Sequence, residues 1–248
     1  MKKTPRLSLA LFALLLPLAV AAADFTPPTV TWNAPGDGTC WQIDAAHPEL
    51  GLVVSAEDAS GVKQGQIWMK KGHYGLGDGF RDWPSLWGHT YARDGAAPTS
   101  VRETRMIPML GFAEGEYTFI AEFADMAAHN LRQKVLHVSI DHEPPVVAIT
   151  SPAADSEVCR DRDLAVDVEA SDGGCGISQV QLYLNAVTPT TPVAVDTTPP
   201  FRLVVPKGQL RSPLHIVVRA IDRSGRSSLA EIIVRPVRFC VVSGTVRR

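Results

Sequence analysis

Two passages of the 248-residue chain follow one plan. "DFTPPTVTW" at Asp24 and "DHEPPVVAITSP" at Asp141 open them. Each continues into a turn-rich stretch ending in a cysteine, "APGDGTC" and "SPAADSEVC". An alternating run follows: Leu50, Leu52, Val54 and Ala56 share one parity in the first copy, and Leu164, Val166, Val168 and Ala170 share it in the second. A period of two over that length means a strand with one buried face. An internal repeat of this kind constrains the fold more than any other feature, because both copies have to satisfy one architecture.

The parallel continues. Both runs end in Ala-x-Asp and a Gly turn, "AEDASGV" and "ASDGGCGI". Ile67–Met69 then matches Leu182–Leu184, "YTFIAEFAD" matches "LHIVVRAID", and Val135–Ile140 matches Ala230–Val234. Many short strands, Gly/Pro punctuation and almost no helical period imply antiparallel sandwiches. The expected fold is all-β: two tandem immunoglobulin-like antiparallel β-sandwiches after a signal peptide. The expected bounds are 1–23 for the signal, 24–142 for a first domain with an aromatic-rich insertion, and 143–248 for a second with a C-terminal tail.

The second copy carries a specific resemblance. Its Pro-Pro start, its two turns that pair an Asp with a Gly, in "ASDGG" and "AIDRSG", and the Pro-Phe before the fifth strand, in "DTTPPFRLVV", resemble a bacterial immunoglobulin-like domain over nearly all of residues 143–248. The first copy matches at its start, in its second and third strands and near "GEYTFIAEFAD", and departs in the middle. The resemblance implies a spacer, an adhesion unit or an appended binding module, and a fold alone does not choose among these.

Residues 1–23 read as a secretion signal: Lys2, Lys3 and Arg6, then the apolar "LSLALFALLLPLAV", then "AAA" at Ala21–Ala23. The apolar run is short for an anchor helix, so cleavage near Ala23 and a periplasmic or secreted product are expected, with no membrane span afterwards. Loss of those three cations makes the chain more acidic than its formal −2. No basic stripe remains to bind nucleic acid.

Four cysteines behind such a signal imply disulfides. In a sandwich of the resembled topology, Cys159 and Cys175 lie at opposite ends of one strand. That strand of about seven residues separates them by roughly 20 Å, whereas a bridge needs Cα atoms within about 7 Å. The last strand ends near Cys159, which favours Cys159–Cys240. End-to-end stacking brings the Cys40 loop to the end holding Cys175, which favours an interdomain Cys40–Cys175 bridge. Closing such long loops stabilises a fold by about 3–5 kcal/mol per bridge.

Asp58, Asp125, Asp172 and Asp222 each end a strand at one end of a sandwich. Carboxylates so placed either bind calcium or accept backbone N–H bonds in their own turns. With no D-x-D-x-D-G spacing the turn role is favoured, and no metal or cofactor is expected. His73 and His89 lack a third ligand at useful spacing.

"KKGHYGLGDGFRDWPSLWGHTY", Lys70 to Tyr91, has no strand or helix period and is long for a connection. Trp68 just before it points away from the Ile67 parity. Trp68, Tyr74, Phe80, Trp83, Trp87 and Tyr91 are therefore candidate ligand-binding residues on an aromatic outer face, with His73, Arg81, Asp82 and His89 to bond hydroxyls. The alternative is a loop packed on its own aromatics, with "DWPSLWG" as a one-turn helix. No catalytic motif occurs and no catalytic residue is assigned; the acid pairs Asp78/Asp82 and Glu114/Glu116 read as solvated. The sequence thus suggests a non-catalytic binding or adhesion module for an envelope polysaccharide or surface protein. The rivals are an envelope spacer or assembly component and a small cell-wall hydrolase.

Overall fold

The computed structural model describes residues 24–93, 95–126, 130–185 and 191–238. The expected signal segment, 1–23, lies outside them. Among the described residues sixteen strands form two sandwiches. The first holds β1 (Thr29–Ala34), β2 (Thr39–Gln42), β3 (Glu49–Glu57), β4 (Val62–Lys71), β5 (Ser85–Thr90), β6 (Ser100–Pro108), β7 (Gly115–Asp125) and β8 (Leu131–Asp141). The second holds β9 (Val146–Ser151), β10 (Glu157–Cys159), β11 (Leu164–Ser171), β12 (Ile177–Leu184), β13 (Ala194–Asp196), β14 (Phe201–Val205), β15 (Leu214–Asp222) and β16 (Ser227–Val237).

The repeat in the sequence is a repeat of topology. The first sandwich pairs a β1-β3-β6 sheet with a β2-β8-β7-β4-β5 sheet; the second pairs β9-β11-β14 with β10-β16-β15-β12-β13. Strand for strand, the orders are the same. One feature departs from a purely antiparallel scheme: β2 runs parallel to β8, and β10 runs parallel to β16. In each copy the chain crosses from one sheet to the other within the turn-rich stretch before the cysteine, so the short strand that follows enters beside the last one.

Alternation sets the cores. Leu50, Leu52, Val54 and Ala56 of β3 all point inward and are buried, against Ile107, Phe119, Leu136 and Phe123 from the surrounding strands. In β11 the central Val166 and Val168 are buried, and Leu164 and Ala170 at the ends are partly covered. The register of the copies also agrees. Trp68 lies across from Ile120 on β7, and Tyr183 lies across from Val217 at the matching place on β15.

The sandwiches differ on the outer face of the larger sheet. From Tyr117 to Asp125 every residue of β7 is buried, on both faces. In β15, by contrast, His215, Arg219 and Ile221 are only partly covered. The chain between β4 and β5 makes the difference, because it folds back over the larger sheet of the first sandwich. The aromatic stretch is also not one loop: residues 85–90 form edge strand β5, which pairs with β4, and the only helical turn there is Leu76–Asp78. "DWPSLWG" is therefore not a helix. Pro84 precedes a segment whose backbone bonds are met by β4 instead.

Replacing Leu52, fully buried in the first core, by Ala should lower stability by about 3 kcal/mol, read as a reduced denaturation midpoint for the first sandwich while the second is unchanged.

Candidate functional site

Of the six aromatic candidates, Trp68, Phe80 and Trp83 are 4%, 4% and 7% exposed. They form one cluster with Ile120, flanked by Tyr74 and Val135. The Trp68 and Phe80 rings meet edge-on with centroids 5.0 Å apart, and Tyr74 meets Trp83 the same way at 5.1 Å. Trp68 does face away from Ile67, as its parity requires, but the loop covers it. The expectation of an open aromatic face is corrected here for these three residues. Burying three large rings against the sheet is worth several kcal/mol, far more than the loop would gain by exposing them.

Polar bonds fasten the cover. Thr118, fully buried on β7, donates its hydroxyl to the Gly72 carbonyl at 2.6 Å and accepts the Tyr74 N–H at 3.0 Å. Gly72 has φ +116, and a Cβ there would lie 2.8 Å from the Tyr74 ring, so only glycine serves. Arg81 pairs with the buried Glu122 at 2.7 Å, which also accepts from Gln133 at 2.6 Å. Lys70 lies 4.5 Å over the Tyr74 ring. His73 stacks on His137 at 4.0 Å and sits 2.9 Å from Glu116. The Glu116 hydrogen bond and charge hold His73 above its ordinary pKa, so this pair supports the loop most below about pH 6.5 and less as pH rises past the shifted value.

Trp87 and Tyr91 belong elsewhere. They are half-buried on and just after β5, on the side that faces the other sheet. Trp87, His89 and Tyr91 form a row, with the Arg105 guanidinium 4.7 Å over Trp87 and the Tyr91 hydroxyl donating to Glu103 at 2.9 Å. Burial and that hydrogen bond push the Tyr91 phenol well above its ordinary pKa. This row reaches the surface, as does half-buried Tyr74 at the edge of the covering loop. Asp82 and His89 are exposed, whereas Arg81 is committed to Glu122. Of the paired acids, Glu114 accepts the backbone N–H groups of His142 and Glu143, and Glu116 is held by His73.

The second built region is the junction. Cys40 on β2 and Cys175 in the β11–β12 loop form a disulfide with Cα atoms 5.8 Å apart, the interdomain pairing expected from end-to-end stacking. Arg226, from the β15–β16 turn, donates to the carbonyl of Ile43 at 2.9 Å and to that of His142. Only His142–Pro145 separate β8 from β9. Cys159 is disulfide-bonded and lies across from Val237 at the end of β16; its expected partner, Cys240, lies outside the described residues.

The loop aspartates do accept backbone bonds. Asp172 Oδ1 takes the N–H groups of Gly174, Cys175 and Gly176; Asp58 takes Ser60, Asp125 takes Asn130 and Asp222 takes Arg226. Two further aspartates join them, Asp24 and Asp141, giving the groups Asp24/Asp58/Asp125 and Asp141/Asp172/Asp222. The repeated openings "DFTPP" and "DHEPP" were the signal that could have found these two. Desolvation, with the charges of Asp222 and Asp172 adding to it, raises the Asp141 pKa; the Ser224 hydroxyl and the Arg226 charge oppose this. Among the described residues, no helix is long and apolar enough to cross a membrane.

Thr118→Val should free the loop while sparing the core, because it removes two buried bonds and keeps the volume. Faster trypsin cleavage after Lys71 and Arg81, with the denaturation midpoint little changed, is the expected readout.

Comparisons with known proteins bear on the fold. Residues 145–215 match the bacterial Ig domain family. No curated protein matches the chain. Among solved structures it is similar to the fibronectin(III)-like modules of Clostridium thermocellum CbhA, at 16% identity over 89% of this chain and 100% of that one, with a TM-score of 0.40. It is similar also to a three-domain segment of titin, at 15% identity over 86% of this chain and 66% of that one, with a TM-score of 0.45. The match to the bacterial Ig domain family at residues 145–215 thus falls within the second of two sandwiches built to one topology.

Proposed function

We propose that this protein is a non-catalytic, extracytoplasmic structural module that holds two Ig-like sandwiches as one stiff unit. The observation that carries this reading is the covalent junction. Cys40–Cys175 ties the last-sheet edge of the first sandwich to a loop of the second, and Arg226 bonds two carbonyls across the same gap. A four-residue join containing Pro144 and Pro145 adds stiffness. A disulfide between described residues suits an oxidising compartment, and the signal-like residues 1–23 agree with export. Such a unit sets the distance and angle between whatever its two ends contact, as a spacer or adhesion component of the envelope does.

A second reading has its own support. The Trp87–His89–Tyr91 row reaches the surface on edge strand β5, beside Arg105 and Glu103. Half-exposed aromatic rings next to charged groups suit an envelope polysaccharide or a surface protein. In this reading the first sandwich makes the contact and the second supports it. Trp68, Phe80 and Trp83 then act from beneath, by fixing the loop that leads into β5.

Two measurements test these readings. In wild type, 15N relaxation should give one rotational tensor for both sandwiches; Cys40→Ser with Cys175→Ser and Arg226→Ala should split it into two. Independent tumbling in the wild type would end the stiff-unit reading. Pull-down of isolated envelope polysaccharide and of envelope proteins should fall at least tenfold with Trp87→Ala/Tyr91→Ala if β5 is the contact edge, and equal capture by both forms would remove that role.

A further inference from the structure

Buried polar atoms without partners are rare in folded proteins, and each one calls for a reason. Among the described residues six side-chain atoms are of this kind, and five belong to Asp141, His142, Asp222 and Arg226. All five lie at the domain junction. Asp141 is 0% exposed and neither of its carboxylate oxygens has a hydrogen-bond partner; Asp222 is 1% exposed and its Oδ2 has none. Ligand atoms of Asp141, Asp172 and Asp222 lie within 4.8 Å of one another. Gly174 makes room for this approach, since a Cβ there would stand 2.9 Å from Asp141 Cα and Cγ.

The first sandwich provides a comparison within the same chain. Asp24, Asp58 and Asp125 occupy the corresponding positions and cluster equally closely. There Asn130 satisfies the group: its side-chain amide donates to Asp125 Oδ2 at 2.7 Å and to the Asp24 carbonyl, while its N–H reaches Asp125 Oδ1. The Asp24 carboxylate takes Thr26. At the junction the residue making the same backbone bond, to Asp222 Oδ1, is Arg226. Its guanidinium is turned to the carbonyls of Ile43 and His142 and the Ser224 hydroxyl donates to Asp222 Oδ1, so among the described residues no side chain donates to Asp222 Oδ2 as the Asn130 amide does to Asp125 Oδ2.

We propose that Asp141, Asp172 and Asp222 form a calcium site at the domain junction. Asp141 supplies both oxygens and Asp222 its Oδ2. Asp172 supplies Oδ2, its Oδ1 being held by three backbone N–H groups. Four carboxylate oxygens, completed by water or carbonyls, suit a cation that takes six to eight oxygen ligands in a flexible shell. Magnesium fits less well, because it demands a regular octahedron and keeps its own water. Three acids face the Arg226 cation, whose guanidinium also lies 4.0 Å from Asp44, and this leaves the site negative until the ion enters. Because Asp141 comes from the first sandwich and the other two from the second, the ion joins them beside Cys40–Cys175. The site does not depend on what the module contacts.

The test uses the full chain, freed of metal with a chelator and titrated with CaCl2 into the millimolar range typical of extracellular calcium modules. Saturable amide shifts should centre on Gly174, Cys175, Gly176 and Arg226, and the thermal midpoint should rise. Asp141→Asn and Asp222→Asn should each weaken this response at least tenfold. Without metal, Asp141→Asn should be the more stable form, since it removes an unpaired buried charge; with CaCl2 the order should reverse. MgCl2 should act at least tenfold more weakly. Absence of saturable shifts in the wild type, an unchanged response in both variants, or an equal response to MgCl2 would overturn the assignment; should either variant fail to fold, the wild-type shift map still decides.

Discussion

The contact on which this molecule turns is the one between the lower end of the first sandwich and the upper loops of the second. Cys40 reaches Cys175 there because β2 lies parallel to β8 and ends beside the join. The β11–β12 loop that presents Cys175 is itself shaped by Asp172, whose Oδ1 gathers three backbone N–H groups. Arg226 adds two bonds to carbonyls of the first sandwich. A bridge alone would tether the domains; bonds from separate loops restrain their angle as well. The proposed calcium site belongs to this same set of loops, and its unpaired carboxylates are what such close docking leaves behind.

The two sandwiches show how one topology is put to different uses. In the second, the larger sheet keeps much of its outer face open. In the first, residues 72–84 fold over that face and bury Trp68, Phe80 and Trp83, so β7 is covered on both sides. The cover holds through Thr118, Gly72, Arg81 and Glu122, each of which has a close partner. Stiffening of the first domain follows, and so does the placing of β5, whose Trp87–His89–Tyr91 row remains at the surface.

Much of the fold was legible because strand burial follows a period of two. Leu50, Leu52, Val54 and Ala56 could be assigned inward without a structure, and the Ile67/Trp68 parity predicted opposite faces correctly. The Cys40–Cys175 pairing could be reasoned from where loops gather in a sandwich. The aromatic stretch was less legible. Periodicity says which side of a strand a ring is on, yet not whether another segment lies over that side. Strand β5 was hidden because Ser85–Thr90 mixes Gly88 and His89 with two large apolar residues, and its pairing comes from the neighbouring β4.

By itself, then, the sequence determined the all-β class, the tandem repeat and the alternation that fills both cores, since these follow from local spacing and the need to bury apolar side chains. The tertiary structure decided which aromatics are covered, how the sandwiches dock and which carboxylates share a site. Asp141, Asp172 and Asp222 come from two domains and three separate turns. Their meeting depends on the docking geometry, which no local pattern of residues encodes.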